Sequence, residues 1–205
     1  MNECLLCDKK LASTPSWKAL IGLEEQTIIC HNCSKMFQRA EIKEEDTILD
    51  QVTSLYTYNE AMQDYLHQYK FLQDVALSAV FANELKPHLK KEATIIPIPM
   101  HPEKRIARTF AHVDELLKSA RVSYTHVLEK TDTESMGEKS KAERLAMKPL
   151  FKLKKKTLIT QGTYILVDDI YTTGTTLRHA ATVLKEAGAA RVEAVTLIRA
   201  ERQLN

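Results

Sequence analysis

The spacing of hydrophobic positions changes at about residue 94 of this 205-residue chain. Ahead of that point, Ala61, Tyr65 and Tyr69 recur at helical spacing and predict a helix over residues 59–71. After it, short apolar runs alternate with amphipathic stretches. We predict strands at 94–98, 122–128, 164–167 and 191–198, and helices at 108–120 and 176–187. Strands that alternate with helices usually pair in parallel, so the predicted fold class is α/β, a parallel sheet flanked by helices.

The remaining stretches are less regular. Residues 53–58 are predicted to form a strand, and Asp74 is predicted to cap a second helix that ends near Pro87. The charged stretch 39–51 is expected to be a connector, and the stretch 130–148, which lacks apolar periodicity, a functional or disordered loop. These changes predict an N-terminal module (1–40), a connector with a helical segment (41–93) and an α/β domain (94–205).

Charge and apolar run length argue against two classes of protein. The formal net charge is only +2, which argues against a strongly basic nucleic-acid binder. A local basic patch stays open, because lysines cluster at Lys152, Lys154, Lys155 and Lys156. The longest apolar runs fall short of the roughly 20 residues of a membrane helix, and no signal-like segment opens the chain. We therefore expect a cytoplasmic protein without membrane insertion.

All four cysteines of the chain lie within its first 33 residues, as two C-x-x-C pairs. The pairs are Cys4 with Cys7 and Cys30 with Cys33. Each pair can place two thiolates on one side of a turn, and two such turns complete a tetrahedron around Zn²⁺. A disulfide framework fits a reducing cytosol poorly. The spacing therefore predicts a structural zinc ribbon, closed by four sulfur ligands and without catalysis of its own.

The most informative stretch is 165–177, which reads ILVDDIYTTGTTL. An apolar strand delivers two adjacent carboxylates, Asp168 and Asp169, and a hydroxyl-rich turn leads into a helix. The turn consists of Thr172, Thr173, Gly174, Thr175 and Thr176. Backbone N–H groups at a helix N-terminus favour an anion, while carboxylates suit sugar hydroxyls. The pattern predicts a sugar-phosphate site; its plain alternative is a strand-to-helix turn with a threonine N-cap.

A second anion site is predicted after the strand at 94–98. A Pro-x-Pro turn is followed there by four basic side chains, His101, Lys104, Arg105 and Arg108. Lysine and arginine pair with phosphate oxygens, so this loop is expected to hold a pyrophosphate group. By itself the signal is weak, because surface Lys-Arg pairs are common. Together with the acidic and threonine-rich turn, however, this basic loop would supply the binding site for the diphosphate group.

The stretch 165–177 resembles the phosphoribosyl-pyrophosphate (PRPP) loop of type I phosphoribosyltransferases. That resemblance implies that Asp168 and Asp169 bind the ribose and serve as the catalytic carboxylates, and that residues 172–176 bind the 5′-phosphate. It also implies a Mg²⁺ ion that bridges the pyrophosphate and ribose oxygens of PRPP. The stretch 130–148 occupies the place of the flexible lid in those enzymes.

Over essentially its whole length, the chain resembles the ComF family of competence proteins. The residues that carry this resemblance are the four cysteines, the PIPMHP turn at 97–102, Arg108 and the loop VDDIYTTGTT at 167–176. The resemblance implies a phosphoribosyltransferase-like protein that acts in DNA uptake beside the helicase-like ATPase ComFA, with single-stranded DNA as a further partner. The family usually has RGFNQ where this chain has RTFAH at 108–112.

Three functions stay open on the sequence. The favoured one is a PRPP-binding adaptor in DNA import. The second is an active phosphoribosyltransferase of nucleotide salvage, for which no clear base-recognition segment is visible. The third is a nucleic-acid-binding module in which the zinc knuckles and the lysine cluster contact DNA phosphates.

Overall fold

A five-stranded sheet forms the centre of the computed structural model, which describes residues 3–11, 28–100, 109–131 and 150–200. The strand order is β1-β2-β7-β6-β3. These strands span Arg39–Glu44 (β1), Gln51–Thr57 (β2), Thr94–Pro97 (β3), Thr163–Tyr171 (β6) and Arg191–Arg199 (β7). β2, β7, β6 and β3 pair in parallel, and only β1 runs antiparallel at the edge. The predicted parallel sheet is therefore confirmed, with one antiparallel edge strand.

Five α-helices in the described residues surround or adjoin the sheet. They span His31–Met36 (α1), Glu60–Lys70 (α2), Ala82–Leu85 (α3), His112–Ser119 (α4) and Thr175–Glu186 (α5). Two apolar clusters form the core. The first includes residues of α2, α4 and β7, and the second includes residues of α5, β6 and β7. β7 is buried along almost its whole length, as expected for an inner strand of a parallel sheet.

The predicted helices at 59–71 and 176–187 are confirmed, and their ends have clear local causes. The side chain of Asn59 accepts a hydrogen bond from the Met62 N–H at 3.0 Å and so caps α2. α5 is followed by Gly188, whose φ of 106° is open to glycine and strained for other residues. Both helices turn an apolar face toward the core, as their periodicity predicts.

Three predictions for less regular stretches are wrong. Within the expected connector 39–51, β1 pairs with β2, because alternate side chains along β1 are half-buried against the sheet. The single helix expected after Asp74 is broken into 3₁₀ turns at Val75–Ala79 and Lys86–His88 on either side of α3. Residues 122–128 do not add a strand to the sheet.

A small second sheet replaces the strand expected at 122–128. β4, at Leu128–Lys130, pairs antiparallel with β5, at Phe151–Leu153. These two strands flank the stretch expected to be a loop, most of which lies outside the described residues. The helix expected at 108–120 begins only at His112, because Thr109 has a φ of 58°, which is not helical. No helix among the described residues is both long enough and apolar enough to span a lipid bilayer.

Candidate functional site

The two adjacent carboxylates lie near the carboxyl end of β6, an inner strand of the sheet. Asp168 pairs in register with Thr196 of β7, while β3 ends one position earlier, with Pro97 beside Val167. Asp168 is half-buried and Asp169 is buried. Ligands of open parallel sheets bind at this edge, so the acidic pair lies where a ligand site is expected.

Asp169 is held by two basic side chains from different helices. Lys70, the last residue of α2, forms an ion pair with Asp169 Oδ2. His112, the first residue of α4, places its Nε2 2.5 Å from the same oxygen. Burial by itself would raise the pKa of Asp169, but Lys70 and His112 outweigh it and hold that pKa well below its usual range. Asp169 is thus a buried carboxylate that stays ionised.

Asp168 has a different environment. Its Oδ1 accepts a hydrogen bond from the Asp169 backbone N–H at 2.9 Å, and its side chain is only half-buried. Burial and the neighbouring charge of Asp169 raise the pKa of Asp168. The two carboxyl groups are therefore unequal: Lys70 and His112 hold Asp169 in its ionised form, whereas Asp168 takes up a proton more readily.

The turn after β6 leads directly into α5. Thr172 and Thr173 are exposed, and the Thr173 and Thr175 hydroxyl oxygens lie 2.9 Å apart. Gly174, at the N-cap, has a φ of 73° and no side chain to cap the helix. The first turn of α5 carries no acidic residue. The positive end of the helix dipole is therefore not neutralised there, and the turn is suited to an anion.

Arg178, in the first turn of α5, holds the preceding turn between β6 and α5 in place through hydrogen bonds. Its guanidinium donates to the carbonyl oxygen of Thr173, to Tyr171 Oη at 3.4 Å and to Asp46 Oδ2 at 2.9 Å. Asp46 lies between β1 and β2, where its other oxygen accepts the Ile48 N–H at 3.0 Å. The turn between β6 and α5 is thus tied to the far edge of the sheet.

A cavity of about 400 Å³ opens beside His112. It is lined by residues that include Ile98, Pro99, His112, Leu128, Lys130 and Lys152. These residues come from the end of β3, the start of α4 and the β4–β5 pair. The volume falls within the range of small-molecule sites in proteins.

The structure therefore brings together the acidic pair and the threonine turn. The four basic residues predicted for the pyrophosphate, His101, Lys104, Arg105 and Arg108, lie outside the described residues. Sequence reasoning did not assign Lys70, His112 or Arg178 to the site. A sequence signal existed for one of them, because Tyr69-Lys70-Phe71 ahead of Asp74 resembles a lysine-containing helix junction of the ComF family. No signal indicated Arg178.

The four cysteines form a cluster that could hold a metal ion. Their sulfur atoms all lie within 4.8 Å of one another, and the Sγ atoms of Cys7 and Cys30 are 3.8 Å apart. Zn–S bonds of about 2.3 Å in a tetrahedron give S···S distances of roughly 3.8 Å. The Cys30 backbone N–H donates to Cys4 Sγ at 3.2 Å, as expected for a sulfur that carries negative charge. The predicted ligands Cys4, Cys7, Cys30 and Cys33 are therefore grouped in space.

The sequence is similar to one protein family and to two characterised relatives. A family model described as the phosphoribosyl transferase domain matches residues 78–204. The competence protein ComFC of Streptococcus pneumoniae (strain ATCC BAA-255 / R6) is 32% identical over 222 residues, covering 96% of this chain and 100% of its own. ComFC of Bacillus subtilis (strain 168) is 30% identical over 228 residues, covering 96% of this chain and 94% of its own.

Among solved structures, a hypoxanthine phosphoribosyltransferase from Staphylococcus aureus aligns with a TM-score of 0.39 and 15% identity. The alignment covers 72% of this chain and 78% of that one.

Proposed function

The chain belongs to the phosphoribosyl transferase domain family and to the ComFC family of competence proteins, and on this premise we propose that it binds PRPP and acts in DNA uptake during natural transformation. The observation that carries the proposal is a half-buried Asp168 at the end of β6, followed by a threonine-rich turn and a helix, α5, whose first turn has no acidic residue. Asp168 is assigned to the ribose hydroxyls, and residues 172–176 to the 5′-phosphate. The proposal includes Mg²⁺ as a companion of PRPP, whose pyrophosphate charge it would neutralise.

A titration with PRPP and Mg²⁺ tests this assignment. We expect the full chain to bind with measurable heat, and Asp168→Ala to bind at least about ten-fold more weakly because a hydrogen-bonding partner for the ribose hydroxyls is lost. Asp64→Ala is the matched control, since Asp64 is an exposed aspartate of α2. Equal affinities for the Asp168→Ala variant and the unmodified chain would contradict the assignment of the ribose hydroxyls to Asp168.

We also propose that the protein is an adaptor for the helicase-like ATPase ComFA, and that it contacts single-stranded DNA. Support comes from the competence relatives and from Lys152, Lys154, Lys155 and Lys156 on β5 and the turn that follows. Reversing Lys154, Lys155 and Lys156 to glutamate is expected to weaken binding of single-stranded DNA and to flatten its salt dependence. An unchanged salt dependence would mean that single-stranded DNA contacts a different part of the protein.

For the proposed interaction with ComFA, co-purification of the two full-length proteins is the direct test.

The alternative is an active phosphoribosyltransferase of nucleotide salvage, and one observation favours it. The cavity of about 400 Å³ beside His112 has room for a nucleobase, and its rim carries Lys130 and Lys152. In that case Asp168 and Asp169 would support an oxocarbenium-like transition state. The test is release of pyrophosphate from PRPP with a panel of bases. Steady turnover with any base would establish the alternative.

The N-terminal cysteine cluster is proposed to hold one structural Zn²⁺. Four sulfur ligands leave no open coordination position, so the metal would contribute folding energy and no chemistry. We further propose residues 1–40 as a zinc module of a cytoplasmic protein. Residues 41–93, expected to connect this module to the phosphoribosyltransferase-like unit at 94–205, contribute β2 and α2 to the same sheet and core as that unit.

A further inference from the structure

The acidic pair of this protein already has a cation of its own. The ammonium of Lys70 and the Nε2 of His112 both contact a single oxygen, Asp169 Oδ2. The side chains of Lys70 and Asp169 are only 12% and 5% exposed, so water screens this ion pair poorly. Removing one partner of such a buried pair would leave an uncompensated charge.

A divalent cation does not fit beside Asp169. His112, Asp168 and Asp169 place ligand atoms within 4.8 Å of one another, which is close enough for a metal site. However, Mg²⁺ requires oxygen ligands at about 2.0–2.1 Å in octahedral geometry. The Lys70 ammonium lies against the oxygen that such an ion would need, and two cations sharing that buried oxygen would repel each other.

The remaining carboxylate is not engaged by a cation in this way. The contacts that the structure gives Asp168 include the hydrogen bond at Oδ1 from the Asp169 N–H. When Asp168 is ionised, its other oxygen, Oδ2, has capacity for two hydroxyl donors. Two vicinal ribose hydroxyls can therefore be held by one carboxylate whose neighbour is neutralised.

We propose that the Lys70 ammonium takes the place of a divalent cation at this acidic pair, so that ribose 5-phosphate binds without a divalent ion and Asp168 alone accepts the ribose hydroxyls. Lys70 and His112 are then positioning residues that act through Asp169. The inference rests on the proposed function, because it assumes a ribose phosphate at this edge. It assigns Mg²⁺ to the pyrophosphate of PRPP and not to the protein's carboxylates.

The first test compares ribose 5-phosphate in two buffers. The full chain, with its own metal retained, is titrated in buffer freed of divalent ions over a chelating resin, and again with excess Mg²⁺. We expect dissociation constants within about two-fold of each other, since 0.4 kcal/mol corresponds to that ratio. Binding that appears only with Mg²⁺ would overturn the inference and leave the proposed function standing. An absence of binding in both buffers would overturn the proposed function and this inference with it.

The second test needs no sugar ligand. Mn²⁺ is titrated into the protein without a sugar ligand, and the number of bound Mn²⁺ ions is measured by electron paramagnetic resonance. Compared with the unmodified chain, Lys70→Met is expected to gain one Mn²⁺ site, and adding Asp168→Asn is expected to remove it. Lys90→Met is the matched control, because Lys90 pairs with the buried Glu193 at 2.7 Å through an ammonium that plays no part in this site. That variant should gain no Mn²⁺.

Two further comparisons keep the proposal testable if Lys70→Met does not fold. In the unmodified chain, a Mn²⁺ site that Asp168→Asn removes would overturn the inference directly. Lys70→Arg keeps the positive charge, so it should bind ribose 5-phosphate in divalent-free buffer and should bind no additional Mn²⁺. Loss of that binding in a folded Lys70→Arg chain, with rescue by Mg²⁺, would also contradict it.

Discussion

At the scale of single residues, Gly174 has the clearest role in shaping the turn proposed to bind the 5′-phosphate. Its φ of 73° is strained for other residues, and a Cβ there would lie 2.6 Å from Tyr171 Cζ and 2.7 Å from the Arg178 guanidinium. We expect Gly174→Ala to lower stability by about 1–3 kcal/mol and to weaken PRPP binding, because the turn must shift. Thermal unfolding and PRPP titration measure the two effects.

The matched control is Gly162→Ala. Gly162 lies outside the left-handed region, and a Cβ there would meet Thr160 Oγ1 at 3.8 Å, an ordinary contact. This variant should keep its melting temperature and its affinity for PRPP. If both alanine variants behave alike, the shape of the turn at Gly174 is not what the ligand recognises.

At the scale of elements, the ion pair of Arg178 and Asp46 ties α5 to the segment between β1 and β2. The pKa of Asp46 is lowered: burial opposes this, but the Ile48 N–H and Arg178 outweigh it. A lowered folded pKa means that the stabilisation is complete above the unfolded value, about 4, and is lost as pH falls through the folded one. Arg178→Met is therefore expected to reduce stability at pH 7 and to lose less further stability between about pH 5 and pH 3 than the unmodified chain.

Thermal unfolding across that pH range provides the measurement. Lys118→Met serves as the control, because Lys118 pairs with Glu115 on the exposed face of α4 at 2.7 Å. Exposed pairs of this kind contribute little. If Arg178→Met loses the same amount of stability relative to the unmodified chain at every pH, then packing, and not the ion pair, connects the two elements.

At the scale of the whole molecule, the cysteine cluster is connected to the core of the sheet domain. Phe37 follows α1 directly, and its ring packs edge-on against Tyr56, Tyr65 and Phe81 at centroid distances of 6.3, 6.3 and 4.9 Å. The Asn59 side chain also donates to the Met36 carbonyl oxygen at 2.8 Å. Metal removal should therefore destabilise the sheet domain as well as the N-terminal module.

We expect elemental analysis to find one zinc per chain, and chelation or Cys33→Ser to lower the melting temperature of the whole protein by several degrees. Circular dichroism reports on the sheet domain. Fluorescence of Trp17, the only tryptophan in the chain, reports on the segment between the cysteine pairs. A change in Trp17 emission with an unchanged melting temperature would mean that the module unfolds independently.

Short-range patterns made much of this molecule predictable from its sequence. The period of the apolar positions determines whether a segment can bury one face as a helix or lie inside a sheet, so α2, α5 and the parallel strands were predicted correctly. The two C-x-x-C pairs and the run from Asp168 to Thr176 are local motifs, in which the spacing of a few residues determines the chemistry. For the site residues themselves, these assignments stay predictions.

Only the tertiary structure decided which charges meet. Lys70, His112 and Asp169 lie far apart in the sequence, and no local pattern relates them. The same holds for Asp46 and Arg178, and for β1 and the β4–β5 pair, whose few residues carry too weak a periodicity to identify a strand. The physical reason is that a local motif depends on backbone geometry over a few residues, whereas the partner of a buried charge depends on how distant helices pack against the sheet.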